Sequence, residues 1–179
     1  MTTIVAVETE KGVTFASDTR VSGWNINDGW VSKVVKNGAI TFGAAGYLRT
    51  IQILQYAKLT EPPVDATPEA IDRYVSLELV PAIVAAFKEV NQETAQKYSI
   101  ILLAVAGRVY QVGGDGAWTR RADGFYAVGS GADTALGALA AGAKPSEAIE
   151  IASRYDWGTN ADAKELKLDR QGQVRKAKK

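Results

Sequence analysis

The stretch Thr2-Thr3-Ile4-Val5-Ala6-Val7 decides the fold of this chain, because it predicts the first strand of an opening β-hairpin. It contains β-branched residues in partial alternation, and the turn-forming residues Glu10-Lys11-Gly12 follow shortly after it. A second apolar run, Val13 to Ser17, then predicts the returning strand. The chain is therefore expected to open with two antiparallel strands.

The remaining elements follow from turn residues and apolar spacing. The dipeptide Asn37-Gly38 favours the positive φ angles of a tight turn and predicts a second hairpin. Further strands are predicted over residues 99–106, 109–112, 125–128 and 164–168, and helices over residues 48–59, 68–90, 132–142 and 145–155. Thr67 is expected to cap the second helix and Pro81 to kink it. This order indicates an α+β fold, a four-layer αββα sandwich of two antiparallel sheets flanked by helices.

Length and composition indicate a single domain. The chain has 179 residues, 46% of them apolar, which is enough for one sizeable core. We assign residues 1–169 to this domain and residues 170–179 to a basic tail, because the last ten residues hold five of the 21 basic residues and no acidic one. Such a run is typical of a solvated segment, and nucleic-acid binding is not expected. No stretch has the character of a membrane helix or a signal peptide, so we expect a cytoplasmic protein with no membrane association.

The chain has no cysteine and no histidine. This excludes disulfides, thiolate metal sites, cysteine nucleophiles and Ser-His-Asp triads, and it excludes most zinc sites. No metal or cofactor is expected. Thr2 remains as a candidate nucleophile. Once Met1 is removed, this residue carries both a hydroxyl and a free α-amine, and the ordinary pKa of an α-amine, about 7.7 to 8.0, suits a general base near neutral pH.

Five segments, taken together and in order, resemble the proteasome β-subunit and HslV-like family of N-terminal nucleophile (Ntn) threonine proteases. The resemblance covers roughly residues 2–160, and the matching segments are Thr2–Val7, Ala16–Arg20, Ser32–Val34, Gly43–Gly46 and Ala127–Gly131. It implies that the chain is a threonine endopeptidase with an Ntn-hydrolase fold and that Thr2 is its nucleophile.

The resemblance also implies roles for residues around Thr2. Lys33 would stabilise the alkoxide and lower the pKa of the α-amine, Asp18 would pair with Lys33, and Arg20 would support both. Asp18 ends one predicted strand and Lys33 begins another, as in buried pairs between neighbouring strands. Gly46 would offer its N–H to the oxyanion.

A second group is implied near the Thr2 amine. Ser130 would hydrogen-bond there, aided by Asp156 and Thr159, although the segment Asp156-Trp157-Gly158-Thr159-Asn160 matches the family more loosely. From the residues alone, Ser130 is equally a candidate N-cap of the helix that follows it.

The resemblance implies a substrate cleft with apolar walls. Val21, Val31, Val35 and Ala44 would line the side-chain pocket, and Ser22 and Leu48 would pair with an extended substrate through their backbones. We therefore expect large apolar side chains to be preferred. Tyr47 replaces a glycine that the family usually has, a change that would narrow the cleft.

The implied assembly is a homo-oligomer, a stacked double ring of six- or sevenfold symmetry that acts on protein or peptide substrates with an ATP-dependent unfoldase. Two alternatives remain open at this point. One is a catalytically silent ring or assembly subunit, and the other is an Ntn amidase that acts on a small molecule.

Overall fold

A computed structural model describes residues 2–22, 26–27 and 31–175 of the protein. Its strands form one four-stranded sheet, one five-stranded sheet and a separate two-stranded ribbon. The strands are β1 (Thr3–Thr9), β2 (Gly12–Asp18), β3 (Val21–Ser22), β4 (Ile26–Asn27), β5 (Val34–Asn37), β6 (Ile40–Ala45), β7 (Ile100–Val105), β8 (Arg108–Val112), β9 (Trp118–Thr119), β10 (Phe125–Gly129) and β11 (Ala163–Leu168).

The helices fall into two groups along the chain. They are α1 (Leu48–Tyr56), α2 (Pro68–Tyr74), α3 (Val80–Glu89), α4 (Glu93–Lys97), α5 (Ala132–Ala140) and α6 (Pro145–Ser153), with a π-helical segment, Val75–Leu79, between α2 and α3. The predicted cap is confirmed, since the Thr67 hydroxyl accepts a hydrogen bond from the Ala70 amide at 3.3 Å. The π-helical segment ends just before Pro81, which lacks the N–H of a regular helical turn.

Both sheets are antiparallel. The four-stranded sheet has the order β10-β1-β2-β11 and the five-stranded sheet the order β5-β6-β7-β8-β9. In the first sheet Ile4 lies opposite Ser17 on one side and Val128 on the other, so β1 is a central strand. Thr2 therefore immediately precedes a strand that has neighbours on both sides.

Three apolar clusters define four layers. The central cluster lies between the sheets and includes Ile4, Phe15, Leu102, Val109 and Tyr126. A second cluster packs α1, α2 and α3 on the five-stranded sheet, and a third packs α5 and α6 on the four-stranded sheet. The predicted four-layer αββα sandwich is thus observed.

The first part of the basic tail pairs with the body of the protein. The Asp169 amide donates to the Gln173 carbonyl at 2.9 Å, and the Arg175 amide donates to the Lys167 carbonyl at 2.8 Å. Val174 forms a bridge with Leu168 of β11. Residues 176–179 lie outside the described residues.

The helices of the described ranges include none that combines the length and the apolar character required to cross a membrane.

Candidate active site

The peptide group that joins Thr2 to Thr3 is held from both sides. Its carbonyl accepts a hydrogen bond from the Ser130 amide at 2.9 Å, and its N–H donates to Asp18 Oδ1 at 2.8 Å. Thr2 itself is largely buried, but its hydroxyl oxygen is not, and this hydroxyl has no hydrogen-bond partner within the described part of the chain. Residue 2 is therefore fixed in position while its hydroxyl stays available. Met1 lies outside the described residues.

A buried ion pair lies beside Thr2. Lys33 Nζ donates to Asp18 Oδ1 at 2.7 Å, and the side chains are 4% and 0% exposed. Asp18 ends β2 and Lys33 immediately precedes β5, so the pair joins the two sheets. Burial lowers the pKa of Lys33, and the attraction of Asp18 opposes that shift.

Arg20 extends this charged group toward the loop that follows α6. Its amide donates to Asp18 Oδ2 at 3.1 Å, so both carboxylate oxygens of Asp18 are used. Its guanidinium Nη1 donates to the Trp157 carbonyl at 2.7 Å. Arg20 therefore connects the Asp18 carboxylate to the segment that holds Asp156 and Thr159.

A chain of hydroxyls leads from Asp156 to Thr3. Asp156 Oδ2 accepts from Ser130 Oγ at 2.8 Å and from Thr159 Oγ1 at 2.5 Å. Because the Thr159 proton is committed to Asp156, the 2.5 Å contact between Thr159 Oγ1 and Thr3 Oγ1 requires Thr3 to be the donor. Every hydroxyl in this chain thus has one assigned direction.

The same contacts set the protonation of Asp156. Desolvation favours the neutral acid, but the hydrogen bonds from Thr159, Ser130 and the Gly158 amide outweigh it, so the pKa of Asp156 lies below its ordinary value. The carboxylate is therefore charged at neutral pH. Ser130 directs its side chain to this carboxylate, and the helix N-cap is Gly131, which has no side chain to provide a cap.

The two glycines that flank Ser130 are required by close packing. Gly129 has a φ of +105°, and a Cβ there would lie 1.8 Å from the Thr2 carbonyl oxygen. A Cβ on Gly131 would lie 2.4 Å from Thr3 Oγ1 and 3.2 Å from Asp156 Oδ2. The Gly-Ser-Gly sequence therefore brings the Ser130 backbone against the Thr2-Thr3 peptide.

Gly46 lies at the opposite wall of the site. Its φ is +126°, and a Cβ there would lie 2.5 Å from Ser99 Oγ and from the Tyr98 carbonyl oxygen. The following amide, that of Tyr47, donates to Ser99 Oγ at 3.2 Å. This turn between β6 and α1 is fixed by its contacts with Ser99, and only glycine fits it.

These elements surround a small cavity of about 70 Å³. Seven of the residues that the sequence predicted line the cavity, together with Tyr47 and Ile51. Among the described residues its lining is Thr2, Arg20, Val21, Lys33, Ala44, Gly46, Tyr47, Leu48 and Ile51. Ser130, Asp156 and Thr159 are tied to the Thr2-Thr3 peptide through hydrogen bonds but do not line it.

Two residues of the predicted substrate cleft, Val31 and Val35, do not line this cavity, and the prediction for Ser22 stays a prediction. Val35 is buried in the core beneath α1, and half-buried Val31 is not in contact with the cavity. The Ser22 backbone pairs with Ile26 in the two-stranded ribbon, and its side chain is outside the described part of the structure. Ile51 therefore lines the cavity, and Val35 does not.

Two residues of this site, Thr3 and Ile51, were not predicted from the sequence. The only signal for Thr3 was the doubled threonine, and for Ile51 its helical spacing, which indicated a core position. Within the described ranges no cluster of acidic residues has the geometry of a metal site.

Comparisons with known proteins identify the fold. No protein-family model matches the sequence, and no curated protein matches it significantly. Among solved structures, HslV from Trypanosoma brucei is similar over 91% of this chain and 97% of its own, at 20% identity and a TM-score of 0.63.

BPH from Thiobacillus denitrificans is also similar. Its complex with epoxomicin covers 93% of this chain and 98% of its own at 20% identity, with a TM-score of 0.72. A second BPH structure covers 93% and 97% at 18% identity, with a TM-score of 0.67. The chain thus has the HslV-like fold of the proteasome β-subunits, as its sequence predicted.

Proposed function

We propose that this protein is a threonine endopeptidase whose nucleophile is the Thr2 hydroxyl after removal of Met1. The observation that carries the proposal is the Thr2-Thr3 peptide, clamped between the Ser130 amide and Asp18 beside the buried Asp18–Lys33 pair. A surface threonine needs no such support. Fixed geometry of this kind is what nucleophilic catalysis requires, since the attacking atom must be held close to its base and to the substrate carbonyl.

In the proposed reaction the free α-amine of Thr2 accepts the proton of the Thr2 hydroxyl as the oxygen attacks a peptide carbonyl. The Lys33 ammonium stabilises the charge that develops on the attacking oxygen. The Gly46 N–H stabilises the oxyanion of the tetrahedral intermediate. The protonated amine then donates its proton to the leaving amine of the substrate, and an ester of Thr2 remains.

The second half of the reaction hydrolyses this ester. The Thr2 amine accepts a proton from water, which attacks the ester carbonyl, and the Thr2 hydroxyl is restored. Ser130 and Asp156 lie on the carbonyl side of the Thr2-Thr3 peptide, where they would orient the amine. The low pKa of Asp156 keeps it charged, and a negative charge near the amine favours the ammonium that forms during each half-reaction.

Intact mass spectrometry with a peptide epoxyketone tests this function. Epoxomicin is a suitable probe, since one BPH structure contains it. We expect purified protein to lack Met1 and to gain the mass of one inhibitor, and we expect Thr2→Ala to gain none. Thr9→Ala, at the other end of β1, is the matched control and should react as the wild type does.

The result that would refute the proposal is active protein that retains Met1, or a Thr2→Ala variant with unchanged peptide hydrolysis. A silent assembly subunit would bind no epoxyketone, and a small-molecule amidase would hydrolyse simple amides but no extended peptides. A silent assembly subunit does not explain why Lys33 is buried against Asp18 beside Thr2.

We also propose a closed homo-oligomeric ring, stacked in pairs, that encloses the site in the cytoplasm and receives unfolded substrates from an ATP-dependent unfoldase. The similarity to HslV and BPH supports a proposal of this kind. Several large apolar side chains on the helices are exposed in the isolated chain, and subunit contacts would cover them; they include Tyr56, Leu77 and Val84. Light scattering should therefore give a mass several times the 19.1 kDa of one chain, and a monomer would contradict the ring.

A further inference from the structure

The cavity beside Thr2 is small for an enzyme that cleaves after large residues. Its volume is about 70 Å³. A cavity that admits benzene, the ring of a phenylalanine side chain, has a volume of about 150 Å³. The space next to the proposed nucleophile is thus about half of what an aromatic side chain needs.

Ile51 forms the buried end of the cavity, and its side chain is held in place by the core. The Ile51 side chain is 3% exposed and packs with Phe42 and Leu54 in the apolar cluster between α1–α3 and the five-stranded sheet. Protein cores are packed at crystal-like density, so a larger ligand cannot push this side chain inward without displacing its neighbours. The depth of the cavity is therefore fixed by the core.

Tyr47 and Leu48 narrow the entrance. The Tyr47 amide is tied to Ser99 Oγ, and the preceding Gly46 is pressed against Ser99 and Tyr98. The backbone at the entrance is thus anchored, and the Tyr47 side chain, 52% exposed, stands at the rim.

The charges in the lining do not favour an acidic side chain. Lys33 is paired with Asp18 at 2.7 Å. The Arg20 guanidinium keeps its charge, but it donates to the carbonyl of Trp157, a residue that is not in the described lining of the cavity. The remaining walls include Val21, Ala44 and Ile51, and burying a carboxylate against them is unfavourable.

From these observations we infer, on the basis of the proposed peptidase function, that this cavity is the primary specificity pocket and that it selects small aliphatic side chains. Alanine and valine enter it, whereas phenylalanine, tyrosine and tryptophan are excluded. This reverses the size preference expected from sequence. That expectation counted Val31 and Val35 among four lining residues, although these two do not line the cavity, and it omitted Ile51.

Fluorogenic peptides that differ only in the residue before the cleaved bond test the inference. We expect kcat/KM for Ala and Val peptides to exceed that for Phe peptides by about 10-fold or more, the range seen when a pocket discriminates by a few carbon atoms. Ile51→Val removes one methyl group from the bottom and should raise kcat/KM for Leu peptides relative to Ala peptides. Ile53→Val is the matched control, since Ile53 is buried on the same helix but does not line the cavity, and it should leave the ratio unchanged.

Faster cleavage after Phe than after Ala would overturn the inference, and so would a preference for Asp or an equal shift of the Leu-to-Ala ratio in both variants. Epoxyketones with Ala or Phe at the same position separate the two proposals. Equal modification of Thr2 by both compounds would overturn the pocket assignment alone. No modification by either compound, with no peptide cleaved, would refute the peptidase function and the pocket assignment with it.

Discussion

Two ion pairs lie at opposite ends of β1, and each joins the two sheets. At the Thr3 end, Asp18 and Lys33 meet at 2.7 Å with side chains 0% and 4% exposed. At the Thr9 end, Glu8 and Arg120 also meet at 2.7 Å, but their side chains are 21% and 24% exposed. The distances are equal, so the difference between the two pairs lies in burial and in their other hydrogen bonds.

The Glu8–Arg120 pair also lines a cavity, but both of its members are bound to the backbone of β8 as well. Glu8 Oε2 accepts from the Val109 amide at 2.9 Å, and Arg120 Nε donates to the Val109 carbonyl at 3.2 Å. The Asp18–Lys33 pair is different, because the ammonium of Lys33 has three N–H donors and only one is used within the described residues. The Glu8–Arg120 pair therefore holds the two sheets together. The Lys33 ammonium, in contrast, has N–H donors that are not used within the described residues, and Lys33 lines a cavity together with Thr2.

The largest effect is expected when the cation of the Asp18–Lys33 pair is removed. Lys33→Met leaves the Asp18 charge buried without a cation, so it should lower the free energy of unfolding by about 3 to 5 kcal/mol. It should also lower kcat for peptide hydrolysis by a factor on the order of 10³, since the alkoxide loses its charge stabilisation. Urea unfolding and peptide assays on the same samples measure both effects.

Arg120→Met is the matched change at the Thr9 end of β1. Its pair is partly exposed, so we expect a loss of about 1 to 2 kcal/mol in stability with kcat within a factor of about two. A comparable loss of activity in Lys33→Met and Arg120→Met would mean that the Asp18–Lys33 pair has no role in catalysis beyond holding the two sheets together.

The next effect concerns two glycines with similar backbone angles. Gly129 and Gly142 have φ angles of +105° and +97°, but a Cβ at Gly129 would meet the Thr2 carbonyl oxygen at 1.8 Å, whereas one at Gly142 would meet nothing within 4 Å. Gly142→Ala should therefore cost about 1 kcal/mol of backbone strain and leave activity intact. Gly129→Ala should displace Thr2 and lower kcat by about 10².

Comparing Gly129→Ala with Gly142→Ala separates the effect of the contact with Thr2 from the effect of backbone strain, because both variants have the strain and only the first has the contact. Circular dichroism would confirm that both variants fold, and the epoxyketone adduct would report the position of Thr2. Equal activity in the two variants would mean that the close approach of Gly129 to Thr2 has no part in catalysis.

The sequence predicted the elements whose signals are local. The hairpins β1–β2 and β5–β6 were found because their turns contain Gly12 and Gly38, and α6 because Pro145 marks its first turn. The short elements α4, β3, β4 and β9 were missed, since two to five residues are too few to show a period.

The site was predictable only in its residue types. The resemblance named Asp18, Lys33 and Ser130, but the bond between Thr3 and Thr159 joins residues 156 positions apart in the chain. No local pattern contains such a contact. The size of the cavity was equally hidden, because it depends on how deeply Ile51 of α1 packs over β6.

A smaller effect is expected from acid, and it is specific to the Thr2 end. The pKa of Asp156 lies below its ordinary value of 3.8 in the folded protein, so ionised Asp156 stabilises the fold above that value, and the stabilisation is lost as the pH falls through the folded pKa. Asp156→Asn should therefore be less stable than wild type by about 1 to 2 kcal/mol at pH 7. The difference should shrink below about pH 4.

Urea unfolding at a series of pH values measures this difference. Gly142→Ala changes no ionisable group, and its difference from wild type should stay constant over the same range. A constant difference for Asp156→Asn as well would mean that its carboxylate is not stabilised by the hydroxyls around it.

The smallest effect lies between the two ends, in the middle of β6. Thr41 is fully buried opposite Lys36 and Ala104, and its hydroxyl is the one buried side-chain polar atom of the described residues that has no hydrogen-bond partner. An unsatisfied buried hydroxyl is unfavourable, so Thr41→Val should raise the free energy of unfolding by about 1 kcal/mol with an unchanged dependence on urea concentration. Peptide hydrolysis should not change, because Thr41 does not line the cavity or contact the hydroxyl chain. Lower stability in the variant would show that the hydroxyl has a partner such as an internal water, and lower activity would mean that polar groups in the central core also support the Thr2 end.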